Sequence, residues 1–185
     1  MSLGKLFTRY RHRKGFGIHS PFAFSLIGDI AGAPGHYYGD ETLRERIGNR
    51  RGRERRTAWL LNRIVARLDP AVTWIMAELP DSLTTAIRIA RTDREPLRCV
   101  PKPLPDRLMT VAKADTLLSQ PELISKLVEV SGAIFFITGE KKSIEEVAGI
   151  LRVQMPGGWG LIDTHVALFI SSCDTPYIEY DVKLL

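Results

Sequence analysis

Two stretches of the chain, Ala71-Val72-Thr73-Trp74-Ile75-Met76-Ala77 and Ala133-Ile134-Phe135-Phe136-Ile137-Thr138, are apolar almost without a break. A strand with one wet face alternates apolar and polar residues. A continuous run therefore marks a strand covered on both faces, as in the parallel sheet of an α/β layer architecture. Around these runs the spacing becomes helical. A helix is expected over 82–91. Another opens at Ser119-Gln120-Pro121-Glu122, a capping box with proline in the first turn, buries Leu123, Ile124, Leu127 and Val130, and stops at Ser131-Gly132. A second capping box, Ser143 to Glu146, opens a helix carrying Val147, Ile150 and Leu151, and Met155-Pro156-Gly157-Gly158 turns into a strand over 159–163.

Shorter strands are expected at 97–100 and, after the proline-rich turn 101–105, at 107–112. Near the end Ile178, Tyr180, Val182 and Leu184 alternate with Glu179, Asp181 and Lys183, the period of an antiparallel strand with one solvated face. The fold class is α/β: a mostly parallel sheet closed by an antiparallel strand. Ahead of it, 53–68 reads as an amphipathic helix, with Thr57, Leu60, Leu61, Ile64, Val65 and Leu68 at helical spacing and Arg53, Arg55, Arg56, Arg63 and Arg67 elsewhere. Residues 1–52, broken by glycine and proline, read as an arm or cap with a short helix near 21–31, and 53–185 as the α/β domain.

The 185 residues and 44% hydrophobic content suffice for one core. With no signal-like apolar run at the N-terminus and no segment of membrane-spanning length, a soluble, cytoplasmic protein is expected. Cys99 and Cys173 stand far apart among strand-like residues and read as core or semi-buried thiols. The net charge of +5 is uneven: residues 1–70 carry 14 Lys and Arg against 6 Asp and Glu, so the first third holds +8 and the rest −3. Glutamates interrupt the arginines and no aromatic platform accompanies them. The asymmetry could serve nucleic acid, an anionic membrane surface or an acidic protein partner, but the pattern speaks against nucleic acid and favours a solvated helix face.

His19-Ser20-Pro21-Phe22-Ala23-Phe24, with His36-Tyr37-Tyr38 and Leu43-Arg44 after it, resembles the front segment of a bacterial group of S-adenosylmethionine-dependent methyltransferase-like proteins. The similarity runs through most of the chain. It implies a Rossmann-like class I methyltransferase fold, here about one βα unit short of a seven-stranded domain. It places a cofactor site at the sheet's carboxyl edge, near Glu78, Asp81, Ser82, Asp115 and Thr138. The family's glycine-rich turn corresponds to Glu78-Leu79-Pro80-Asp81-Ser82-Leu83-Thr84-Thr85, where Glu78 matches but Pro80 and Thr84 stand in place of glycine. Glycine lets the methionine part and sugar of the cofactor approach bare backbone, whereas proline removes an N–H and threonine adds a branched side chain. The acid expected after the second strand is replaced by Pro101 and Lys102, and Thr138 replaces an aspartate. Glu140 lies two residues further on, where it suits a helix start. Asp163 fits either the end of the fifth strand or the start of the closing hairpin.

His12, His19, His36 and His165 lack metal-ligand spacing, so no metal site is expected. His19 suits a lid residue acting on a substrate proton, or a hydrogen-bonded anchor of the arm. Asp115 suits a helix cap as well as a cofactor contact. No nucleophile elbow, Walker loop or dinucleotide fingerprint occurs. Two functions remain open. One is an active O- or N-methyltransferase on a small molecule. The other, favoured, is a non-catalytic relative that assigns no catalytic residue, leaves S-adenosylmethionine without its usual loop, and holds a partner or a second copy through Arg50, Arg51, Arg53, Arg55 and Arg56.

Overall fold

The computed structural model describes residues 20–32, 39–48, 52–76 and 78–185; His12, His19, His36, Tyr37, Tyr38, Arg50 and Arg51 lie outside them. The chain divides into two compact units. One, helical, comprises the chain up to Asp69 with Pro80–Glu95 and Asp181–Leu185; the other, built on a sheet, comprises Pro70–Leu79 and Pro96–Tyr180.

In the helical unit, α1 (Pro21–Ile27) starts at Ser20, whose Oγ accepts from the Ala23 N–H at 3.3 Å, and passes directly into a π-helical turn, Gly28–Gly32. The first-turn proline and serine cap explain this start. Helix α2 (Asp40–Ile47) follows Gly39, whose φ of +100° favours glycine. Helix α3 (Arg53–Leu68) matches the sequence expectation and ends on Asp69 in a left-handed conformation ahead of Pro70. It packs against α4 (Asp81–Ala90), and the buried Asn62 donates from Nδ2 to the Ala86 carbonyl at 2.9 Å. Two arginines of α3 are structural: Arg63 pairs with the buried Asp40 at 3.1 Å, and Arg67 with Asp29 at 2.6 Å.

The sheet unit holds six strands in the order β1-β2-β3-β5-β4-β6: β1 (Val72–Met76), β2 (Leu108–Lys113), β3 (Ile134–Thr138), β4 (Gly158–Ile162), β5 (Val166–Ser171) and β6 (Ile178–Asp181). β1 pairs with β2 and β2 with β3 in parallel, while β5 is antiparallel to both β3 and β4. Four strands thus run one way, the mostly parallel sheet expected and one compatible with a Rossmann-like fold. The antiparallel strand differs from the expectation: β5 lies inside the sheet, between β3 and β4. β6 next to β4 is shorter than the alternating run 178–184.

Helices α5 (Ala114–Leu118), α6 (Pro121–Val128) and α7 (Lys141–Gln154) supply Leu117, Ile124, Leu127, Ile144, Val147 and Leu151 to a core with Trp74, Phe135 and Phe169. Ile75, Met109, Phe136 and Leu168, whose side chains alternate with that set, are buried as well, so both faces of the central strands are covered.

Several local expectations are corrected. The strand at 97–100 shrinks to one bridge, Leu97 opposite Trp74, because Pro96 and the prolines from Pro101 onward cannot extend a ladder. Ser119 caps nothing: its hydroxyl donates back to the Thr116 carbonyl at 2.8 Å, and Gln120 is the N-cap of α6. Helix α7 starts at Lys141 after Glu140, which leaves Ser143 inside its first turn. Both cysteines are exposed, Cys99 beyond the Leu97 bridge and Cys173 in the turn after β5, since neither lies within a strand.

Candidate functional site

Because β1, β2, β3 and β4 run in one direction, their carboxyl ends share one edge of the sheet unit. Three expected residues fall there. Glu78 comes two positions after β1 and is exposed; Asp115 comes two positions after β2, exposed in the first turn of α5; Thr138 ends β3, half-buried, in register with Lys113 on one side and Val166 on the other.

Gly139, which the sequence did not single out, and Asp163, which it did, shape the same edge. Gly139 donates its N–H to the His165 carbonyl at 3.2 Å, and a Cβ on it would stand 3.1 Å from that of Ala114, so the β3 and β2 loops touch at a point fitted for glycine. Asp163 both follows β4 and opens the hairpin to β5, which joins its two readings. Its side chain accepts from the Thr164 N–H at 2.5 Å and hydroxyl at 2.9 Å, and its own N–H donates to the Val166 carbonyl at 2.9 Å. A buried aspartate that accepts from the residue after it organises the turn. Among the described residues no group of three or more His, Cys, Asp or Glu is placed to hold a metal ion.

Asp81 and Ser82 belong to the helical unit, in the first turn of α4. Asp81 is exposed, but Ser82 is 3% exposed and its hydroxyl donates to Glu54 Oε1 of α3 at 2.6 Å. Ser82 is therefore committed to helix packing. The missed partner, Glu54, had no signal in the sequence beyond being an acid among arginines. The N-cap of α4 is Pro80 in an extended conformation, with no side-chain cap, and Thr84 is buried. The first turn of α4 thus lacks glycine and, at Pro80, one N–H, and the Ser82 hydroxyl is already bonded.

Charge pairs elsewhere are structural. Arg91 pairs with Asp69 and with Asp93 at 2.9 Å; the Arg91 hydrogen bond holds the exposed Asp93 carboxyl at about 2. In the sheet unit Tyr177 donates to Glu179 Oε2 at 3.0 Å, and burial, then the Glu179 charge, pushes its hydroxyl up. No described helix is long and apolar enough to cross a membrane.

What fold and edge define is an α/β protein with a mostly parallel sheet and a carboxyl edge where Glu78 and Asp115 are exposed and Asp163 is bonded within its own turn. No family model, no curated protein and no solved structure matches the chain.

Proposed function

We propose that the chain is a degenerate relative of the S-adenosylmethionine-dependent methyltransferases, a pseudoenzyme that keeps the sheet and acts by binding a protein partner or a second copy of itself. One observation carries this reading. Pro80 caps α4 where the cofactor needs glycine, and Ser82 beside it is bonded to Glu54. The basic face supports binding as the retained activity, since Arg53 and Arg56 on α3 are exposed. A nucleic-acid role is disfavoured: Arg44 and Arg55 lie 5.9 and 5.2 Å from the centroid of Trp59, so its ring serves guanidinium groups rather than stacked bases.

Calorimetric titration with S-adenosylmethionine and its demethylated product, alongside a thermal-shift scan, tests the proposal, because a ligand that binds the folded state must raise stability. No heat and no shift at millimolar ligand is the expected result. Micromolar binding that Glu78→Ala weakens would overturn it in favour of an active methyltransferase.

A further inference from the structure

The first acid of the chain is Asp29, and ahead of it stand Lys5, Arg9, Arg11, Arg13 and Lys14, so residues 1–28 carry five basic side chains and no acidic one. Apolar residues are set among these cations. Leu3, Leu6, Phe7 and Tyr10 follow the order i, i+3, i+4, i+7, while Lys5, Arg9 and Arg13 recur at i+4. A helix formed on an apolar surface would hold the two sets on different faces. The stretch ends at His19, next to Ser20, the N-cap of α1. Helix α1 and the π-helical turn bury Ala23, Leu26, Ile27 and Ile30 and leave Phe24 51% and Phe22 36% exposed. Among the described residues no other aromatic side chain is exposed. Asp29, in the π-helical turn, is paired with Arg67 at 2.6 Å.

We infer that residues 1–19 and the Phe24 face of α1 form a peripheral anchor that seats the protein on a bilayer containing anionic lipid. Charge selects the surface, because a run of basic side chains with no acid among them is drawn to a leaflet rich in phosphatidylserine. The apolar residues select a bilayer over nucleic acid. Phosphate contacts use the cations alone, whereas Leu3, Leu6 and Phe7 gain only where an apolar phase receives them. Phe24 stands exposed close to where the basic stretch joins the fold, so the apolar contact extends onto a formed helix. Aromatic rings suit the headgroup boundary. Such a segment lies in that boundary rather than across the bilayer. The anchor involves none of the residues at the sheet edge, so it stands independently of the degenerate-cofactor reading.

The test is co-sedimentation of the full chain with vesicles of phosphatidylcholine alone and of phosphatidylcholine with about 30% phosphatidylserine, beside a titration with a short duplex DNA. Binding about tenfold tighter to the anionic vesicles, and weakened by high salt, is the expected result. The triple variant Lys5→Gln, Arg9→Gln, Arg13→Gln should weaken it about tenfold, the double variant Leu6→Ser, Phe7→Ser about tenfold, and Phe24→Ala about threefold, each with unchanged thermal unfolding. Equal binding to both kinds of vesicle, or no sedimentation with either, would overturn the proposal. So would duplex DNA bound more tightly than anionic vesicles at equal phosphate, or vesicle binding indifferent to either apolar change, which would reduce the contact to charge alone.

Discussion

Replacing Ser82 by alanine separates two roles for the first turn of α4. The hydroxyl donates to a carboxylate at 2.6 Å from a residue that is 3% exposed. Hydrogen bonds to charged groups contribute about 1.5–3 kcal/mol. Glu54 is only half-buried, which favours the lower part of that range, and alanine returns up to about 0.5 kcal/mol of helix propensity. The expected net loss is about 1.5 kcal/mol, a fall in Tm of roughly 3–6 °C for a chain of this length. Urea and thermal unfolding followed by circular dichroism read it. A double-mutant cycle with Glu54→Gln should show coupling of about 1 kcal/mol, because the two side chains touch. If Ser82 instead contacted a ligand, alanine would alter ligand binding and leave the ligand-free protein as stable as before. An unchanged Tm together with zero coupling would refute the packing role.

Phe169, fully buried in β5 and opposite Phe135 and Gly160, should cost about 3–5 kcal/mol on replacement by alanine, measured as a shift of the urea midpoint at constant m-value. Gly160→Ala places a Cβ 2.5 Å from the Tyr177 hydroxyl and 3.1 Å from Phe169 Cε1, so a loss of about 1–3 kcal/mol is expected; Tyr177→Phe in the same chain should relieve part of it, and a neutral Gly160→Ala would show that β4 has more room than these contacts allow. The Asp93 carboxyl, held at about 2 by Arg91, is lowered from 3.8, so its stabilising contribution is full above the unfolded value and disappears as pH falls toward 2; a carbon-detected titration should find it there and find it back near 3.8 in Arg91→Gln.

The strands were legible where burial on both faces wrote itself into composition. The runs at 71–77 and 133–138 become β1 and β3 because every side chain in such a strand meets protein. Helix α3 was legible for the complementary reason, a single apolar stripe with charges between. β5 was not, although Val166-Ala167-Leu168-Phe169-Ile170 is as apolar as β3: placing it between β3 and β4 is a choice of pairing partner, which a one-dimensional pattern does not encode. The capping boxes misled because Ser119 had a nearer acceptor in the Thr116 carbonyl at the end of α5, a helix too short to leave a periodic signal. Of the five expected site residues, the edge positions of Glu78, Asp115 and Thr138 follow from strand ends alone. The fate of Ser82 depends on Glu54, 28 residues away in the chain, and no local reading reaches that far.

The fold and a cofactor site of the proposed kind draw on different residues, and this is why one could persist while the other decayed. Sheet order and core depend on side chains within the strands, such as Trp74, Phe135 and Phe169, where a change of volume costs several kcal/mol. A cofactor site at a carboxyl edge depends on the few residues after each strand, where a change costs the fold little. At this edge Asp163 accepts from Thr164 and Gly139 stands close against Ala114. On the proposed reading, cofactor binding would have to undo such bonds, and the helical unit adds a further obstacle. Freeing Ser82 for a ligand would remove the Glu54 bond between α3 and α4, so a variant with glycine at positions 80 and 84 should lose stability before it gains affinity for S-adenosylmethionine.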